Sequence, residues 1–232
     1  MSLPVLYSFR RCPYAMRARL AVQAAEVEVE LREIALKAKP AEMLQASPKG
    51  TVPVLVLPNG TVIEQSVDIM LWALRQRDPM GWLPRDAATM TDAMACIAIN
   101  DGAFKQALDR YKYPARFALT DGLVYREQGA ALLQNWEDRL TLTPCLQGAR
   151  WGFLDAAIAP FVRQFAHTDK TWFAQQNWPN LQHWLAAFEA SATFAGIMQK
   201  VPPWHAGDAS RITCFAEAAI AAAGTGVDGA AA

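Results

Sequence analysis

Cys12 stands out in the run Arg10-Arg11-Cys12-Pro13-Tyr14-Ala15. Pro13 suits the first position of a helix, where its missing N–H would have no partner anyway. Cys12 then becomes the N-cap, where unpaired amide donors and the helix dipole favour a negative charge. Both effects enrich the thiolate, the nucleophilic form of the side chain. Arg10, Arg11, Arg17 and Arg19 all precede the first acidic residue, Glu26. Their charge predicts a further fall in the thiol pKa. The competing reading is a buried structural cysteine. The proline that follows and the crowd of arginines weigh against it here. Cys96, Cys145 and Cys214 lack such neighbours and read as structural. A dithiol site would need a second cysteine at position 15, which is alanine. A mixed disulfide at Cys12 must therefore be released by an outside thiol. That chemistry is a one-cysteine mechanism with a small-molecule thiol as co-substrate.

Two further places offer binding groups. Val52-Pro53 opens a strand-like run. A trans proline at a strand start is the simple reading. A cis bond would instead turn the Val52 backbone N–H and C=O toward a ligand, and Pro53 is a candidate for it. Gln65-Ser66 ends a turn at a helix start. It is either a plain N-cap or a set of donors for a carboxylate. Asp101, Lys105, Arg110 and Tyr111 fall on one expected helix, with Lys105 a candidate to face the thiol. A solvated face is the simpler reading for these four. The three histidines, His167, His183 and His205, have no cysteine or histidine at ligand spacing, so no metal is expected.

These residues need a scaffold, and the first 80 residues describe one. Val5–Phe9 reads as a buried strand. Residues 14–25 form a helix with Met16, Leu20 and Ala24 on one face. Residues 27–31 alternate as a half-buried strand. A short helix follows around 41–46. Residues 52–57 and 61–63 flank Pro58-Asn59-Gly60, a hairpin signal. Ser66 caps a helix that ends near Asp78-Pro79. The order β-α-β-α-β-β-α is a small mixed sheet with helices on its faces. Beyond residue 80 the pattern turns helical. Helices are expected over 87–111, 121–140, 153–167 and 179–190, with a shorter one near 192–199, punctuated by prolines. The expected domains are 1–79 (α/β), 80–215 (an all-α bundle) and an Ala/Gly-rich tail over 216–232 with little to pack.

The chain has 232 residues, of which 53% are hydrophobic and 19% charged, a globular composition. Basic and acidic side chains balance, 22 against 22, which argues against nucleic acid as a main partner. No apolar run reaches the length of a membrane helix, and the N-terminus has no signal-peptide pattern. Four scattered cysteines predict no disulfide framework and a cytoplasmic location.

Several motifs together resemble the glutathione transferase superfamily. They are Cys12-Pro13-Tyr14-Ala15, Lys37-Ala38-Lys39-Pro40, Ser47 to Leu55 with Val52-Pro53 inside it, and Gln65-Ser66-Val67-Asp68-Ile69. The cysteine-type, omega-like enzymes are the most similar, and the CPYA helix start also resembles glutaredoxins. In the second part, Phe153 to Phe161 is similar to the family's capped helix, but Gly152 stands where the family has Ser or Thr. Asp155 can still reach back to the Gly152 N–H.

The resemblance implies a thioredoxin-like N-terminal domain, a helical second domain and glutathione as co-substrate. It implies Cys12 as the catalytic thiolate, with Tyr14 beside it contributing a backbone N–H. It implies that Lys39 pairs with the glycine carboxylate of glutathione, although a lysine in a charged loop is by itself a solvated side chain. Val52 would hydrogen-bond the cysteinyl backbone, and Gln65 and Ser66 would hold the γ-glutamyl group. Omega-type enzymes more often carry Glu-Ser there. A homodimer is also implied, with a small hydrophobic or disulfide substrate bound between the domains. Trp151 and Trp172 are candidates for that pocket as well as for the core.

Three functions compete. The first is glutathione-dependent thiol transfer or reduction, including dehydroascorbate-type reduction, through Cys12. The second is conjugation of glutathione to electrophiles, which needs a hydroxyl such as Tyr7 or Ser8. The third is a transferase-like interaction module without activity.

Overall fold

The computed structural model describes residues 2–216. The expected tail therefore lies outside the described residues, apart from Ala216. The element order is β1 (Val5–Ser8), α1 (Pro13–Ala24), β2 (Val29–Glu33), α2 (Ala41–Ala46), β3 (Val54–Val56), β4 (Val62–Ile63) and α3 (Ser66–Gln76). β1 and β2 run parallel, with Val5 opposite Glu30, and β1–β3 and β3–β4 are antiparallel. This is the thioredoxin-like α/β arrangement. The hairpin turns at Asn59-Gly60, where Gly60 takes φ +86° and Leu57 N–H bonds Thr61 O at 2.8 Å.

A helical region follows: α4 (Ala87–Ile99), α5 (Lys105–Lys112), α6 (Leu123–Leu142), α7 (Phe153–Ala166), α8 (Lys170–Ala174), α9 (Pro179–Ala190) and α10 (Ala192–Ile197). Asn100–Phe104 joins α4 to α5 as a π-helical turn, not as the continuous α-helix expected from sequence. No helix among the described residues is long and apolar enough to cross a membrane.

Three expectations are corrected. The second strand begins two residues later than read, at Val29, where its inward positions meet β1. Ser66 does not cap α3. Gln65 is the N-cap with extended backbone, and Ser66 is the first helical residue. The C-terminal segment does not stay with the helices. It returns to the sheet as β5 (Ile212–Thr213), antiparallel to β2, and gives the order β4-β3-β1-β2-β5. Trp204 N–H donates to Glu33 O at 2.7 Å, and Phe215 is buried near α1. This segment covers the β2 edge, which would otherwise expose unpaired backbone groups.

α1 lies at the centre. Ten of its twelve residues are buried, and it packs against α3, α7 and α10. Arg17 is fully buried. Its guanidinium is bidentate to Asp101 at 2.6 and 2.7 Å, donates to Ala157 O at 2.5 Å and lies 4.3 Å from the Phe161 ring centroid. Arg19 pairs with Glu33 and donates to Ser8 Oγ at 2.8 Å and to Ile197 O at 3.0 Å. These two residues fasten the α/β part to the helical part.

Candidate active site

The site forms where α1 begins. Cys12 occupies the N-cap with extended backbone (φ −81°, ψ 124°), and Pro13 takes the first helical position. Cys12 N–H closes a turn on Phe9 O at 2.9 Å. The Tyr14 and Ala15 backbone N–H groups act on the thiol and favour its charged form. The sulfur also donates a long hydrogen bond to Val52 O, 3.7 Å away. The Val52–Pro53 bond is cis.

The expectation of a depressed thiol pKa is corrected. Burial pushes the Cys12 thiol up, and this outweighs the backbone donors and the charges of Lys105 and Arg19. The arginine cluster contributes less than its count suggests, because Arg17 and Arg19 are matched by Asp101 and Glu33. A neutral thiol also fits the contact with Val52 O, since a carbonyl oxygen accepts from S–H and repels a thiolate.

The other candidates gather around this point to different degrees. Tyr14 packs edge-on against Phe161, with centroids 4.8 Å apart, and its hydroxyl is pushed up to about 12, chiefly by burial. Lys105 Nζ lies 5.9 Å from the Tyr14 ring centroid, and Lys105 pairs with Asp109. Lys39 is exposed. Its Nζ lies over the Gly50 turn, 3.4 Å from where a Gly50 Cβ would stand, so it reaches the loop that carries Val52. Gly50 has φ +61°, which also favours glycine there. At the start of α3 no side chain caps the first N–H groups. Ser66 is buried there and Gln65 is exposed, while Glu64 is held by the Ser47 hydroxyl.

The hydroxyls considered for conjugation are occupied elsewhere. Tyr7 Oη accepts from Arg32 at 2.7 Å, and its ring meets Trp204 edge-on. Ser8 is fully buried and its Oγ accepts from Arg19. Trp151 stacks on Trp184 and Phe188, at 5.5 and 5.1 Å between centroids. With them it lines a cavity of about 420 Å³ whose wall includes neither Cys12 nor Lys105. Trp172 packs on Phe165 and Trp178. Neither tryptophan adjoins the thiol.

Asp155 stands in the first turn of α7. It accepts from Leu146 N–H at 2.9 Å, Trp184 Nε1 at 2.9 Å and Gly152 N–H at 3.1 Å. Glycine has no side chain to reciprocate, so only half of a capping box exists.

Residues 6–81 match the family model for the glutathione S-transferase N-terminal domain. Glutathione S-transferase omega-1 of Rattus norvegicus is 39% identical over 62 residues, which are 27% of this chain and 26% of that protein. The chain thus aligns with about a quarter of that relative's length. A probable glutathione transferase of Aplysia californica is 38% identical over 58 residues, 25% of this chain and 63% of that protein. Among solved structures, a glutathione transferase family member from Pseudomonas fluorescens with two glutathione bound superposes with a TM-score of 0.73. It is 17% identical and covers 85% of this chain and 92% of its own. The likeness in structure shows the fold, and the sequence matches support the glutathione transferase superfamily.

Proposed function

We propose that the chain is a glutathione-dependent thiol transferase, omega-like in its use of one cysteine, with Cys12 as nucleophile. The observation that carries this reading is the Cys12 sulfur at the start of α1, faced by the Tyr14 and Ala15 N–H groups and 3.7 Å from Val52 O. The Cys12 thiolate attacks the glutathionyl sulfur of a mixed disulfide. The old S–S bond breaks, and its electron pair leaves on the other thiol, which takes a proton from water. A second glutathione, as thiolate, then attacks the glutathionyl sulfur held on Cys12. Glutathione disulfide departs and the Cys12 thiolate is restored.

The other residues hold glutathione. The Val52 N–H and C=O pair with its backbone in the manner of an added strand. Lys39 meets the glycine carboxylate. Gln65, Ser66 and the uncapped N–H groups of α3 receive the γ-glutamyl carboxylate. This pairing has an electrostatic consequence. A glutathione N–H on Val52 O takes the acceptor away from the Cys12 thiol. The sulfur then keeps only donors and cations as neighbours, which favours the thiolate. The engaged hydroxyls of Tyr7 and Ser8 make conjugation the weaker reading. We carry over a homodimer from the resemblance and a cytoplasmic location from the four scattered cysteines, and sedimentation tests the dimer.

The test is steady-state turnover of the mixed disulfide of glutathione and 2-mercaptoethanol. Ping-pong kinetics that vanish in Cys12→Ala support the reading. Full activity in that variant overturns it.

A further inference from the structure

The chain as a whole is neutral, but the surface beside Cys12 is not. A cleft of about 480 Å³ opens between the turn before α1, the loop after β2 and the returning C-terminal segment. Arg10, Arg11, Lys37 and Lys200 line it, and Glu33 is the one acid in its wall. Glu33 has no free charge to offer them. Its Oε1 accepts the Arg10 backbone N–H at 2.7 Å, and its Oε2 pairs with buried Arg19. Among the described residues, none of the four cations forms an ion pair.

Two of the cations are held in position. The Arg10 guanidinium donates to Met198 O at 3.3 Å, and that of Arg11 lies 5.3 Å from the Phe9 ring centroid. Phe9 and Pro203 supply apolar wall for a short carbon skeleton. Arg11 immediately precedes the nucleophile, so the cleft wall runs up to the residue before Cys12, whose own side chain is not part of it. Positive charge continues past it: burial chiefly disfavours the charged form of Lys112, and Arg163, Arg11 and Lys105 add to this against the opposing charge of Asp109. Four like charges brought together from three segments of chain repel one another until an anion joins them.

We propose that this cleft binds a small organic dianion and receives the thiol half of the substrate, a mixed disulfide between glutathione and a thiol bearing two carboxylates. The substrate class rests on the thiol-transfer reading, while the anion site stands on the cleft alone. When Cys12 attacks the glutathionyl sulfur, the electron pair of the broken S–S bond goes to the acidic thiol. The cations then face a leaving group whose negative charge has just risen by one. Glutathione, as the second thiol, clears Cys12 as before.

The test uses the full chain and Lys37→Gln/Lys200→Gln. Both lysines are exposed and make no hydrogen bond among the described residues, so the variant is expected to fold. The substrates are the glutathione mixed disulfides of mercaptosuccinate and of 2-mercaptoethanol. The wild type is expected to favour the mercaptosuccinate compound by about tenfold or more in kcat/KM at low salt. The variant should lose that preference and keep its rate on the neutral compound, and added salt should narrow the gap. No preference in the wild type, or a preference kept in the variant, overturns the substrate class. Calorimetric titration with succinate reads the site without turnover. Binding by the wild type and its loss in the variant support the anion site, and no binding by the wild type overturns it. Succinate binding without turnover of either disulfide would sink the thiol-transfer reading and the substrate class but leave the anion site. Turnover without preference or succinate binding would leave the thiol-transfer reading and sink both the substrate class and the anion site.

Discussion

The Cys12 sulfur and the Val52 carbonyl oxygen lie 3.7 Å apart although their residues are 40 positions apart in the chain. The start of α1 and the loop before β3 thus meet at one atom pair. The same carbonyl that holds the resting thiol is the one a bound peptide would use. Resting state and liganded state compete for a single acceptor.

The sulfur-free analogue γ-Glu-Ala-Gly should therefore lower the Cys12 pKa. Ultraviolet thiolate absorption against pH, with the Cys12→Ser signal subtracted, measures it. The unliganded midpoint should lie above that of a free thiol, because burial dominates. Lys105→Gln should raise it further, since the Lys105 charge favours the thiolate. A midpoint unmoved by the analogue would remove the competition at Val52.

Lys39→Ala should weaken glutathione binding several-fold, as expected for one exposed charge on a carboxylate, with no change in melting temperature. Calorimetry reads the affinity. An unchanged affinity would mean that Lys39 is only a solvated side chain.

Breaking the Arg17–Asp101 pair should destabilise the fold. Arg17 is 0% exposed and Asp101 31%, so solvent screens one partner only. Asp101→Asn should cost about 2 kcal/mol, below the ~3–5 kcal/mol of a fully buried pair. Urea denaturation measures it, and a change under about 0.5 kcal/mol, within the surface range, would contradict the clamp.

Asp155 gives a pH dependence with a definite sign. Burial raises its carboxyl pKa despite three accepted hydrogen bonds. A raised folded pKa means the contribution to stability is full below the unfolded pKa and is lost as pH rises through the folded one. Asp155→Asn cannot ionise, so the stability of the wild type relative to it should fall as pH rises. Denaturation at a series of pH values tests this, and the opposite slope would contradict it. Asp155→Ala should cost about 3 kcal/mol below the folded pKa, because it strands buried donors, and less as pH rises through it.

What the sequence disclosed was local. Asn59-Gly60 announced its hairpin because the turn chemistry sits in two adjacent residues. Pro13 after Cys12 announced the start of α1 for the same reason. β5 was hidden, because Ile212-Thr213 becomes a strand only by pairing with β2 some 180 residues away. The π-helical turn at Asn100 has no sequence signature of its own. The thiol pKa is not legible in the sequence, because a count of arginines does not show their partners. Asp101 and Glu33 absorb two of them, and burial acts on the sulfur more strongly than the rest. The basic cleft has no sequence signature, because Lys200 joins Arg10, Arg11 and Lys37 only once the chain returns to the sheet.

Thiol transfer at this site requires Cys12 to be a nucleophile toward the glutathionyl group. Its most direct test is the intact mass of the protein after incubation with glutathione disulfide, with peptide mapping of the product. One glutathione per chain is expected, on Cys12, removed by added glutathione and absent in Cys12→Ala. Glutathione binding with no adduct on Cys12, or an adduct found only on Cys96, Cys145 or Cys214, would contradict it.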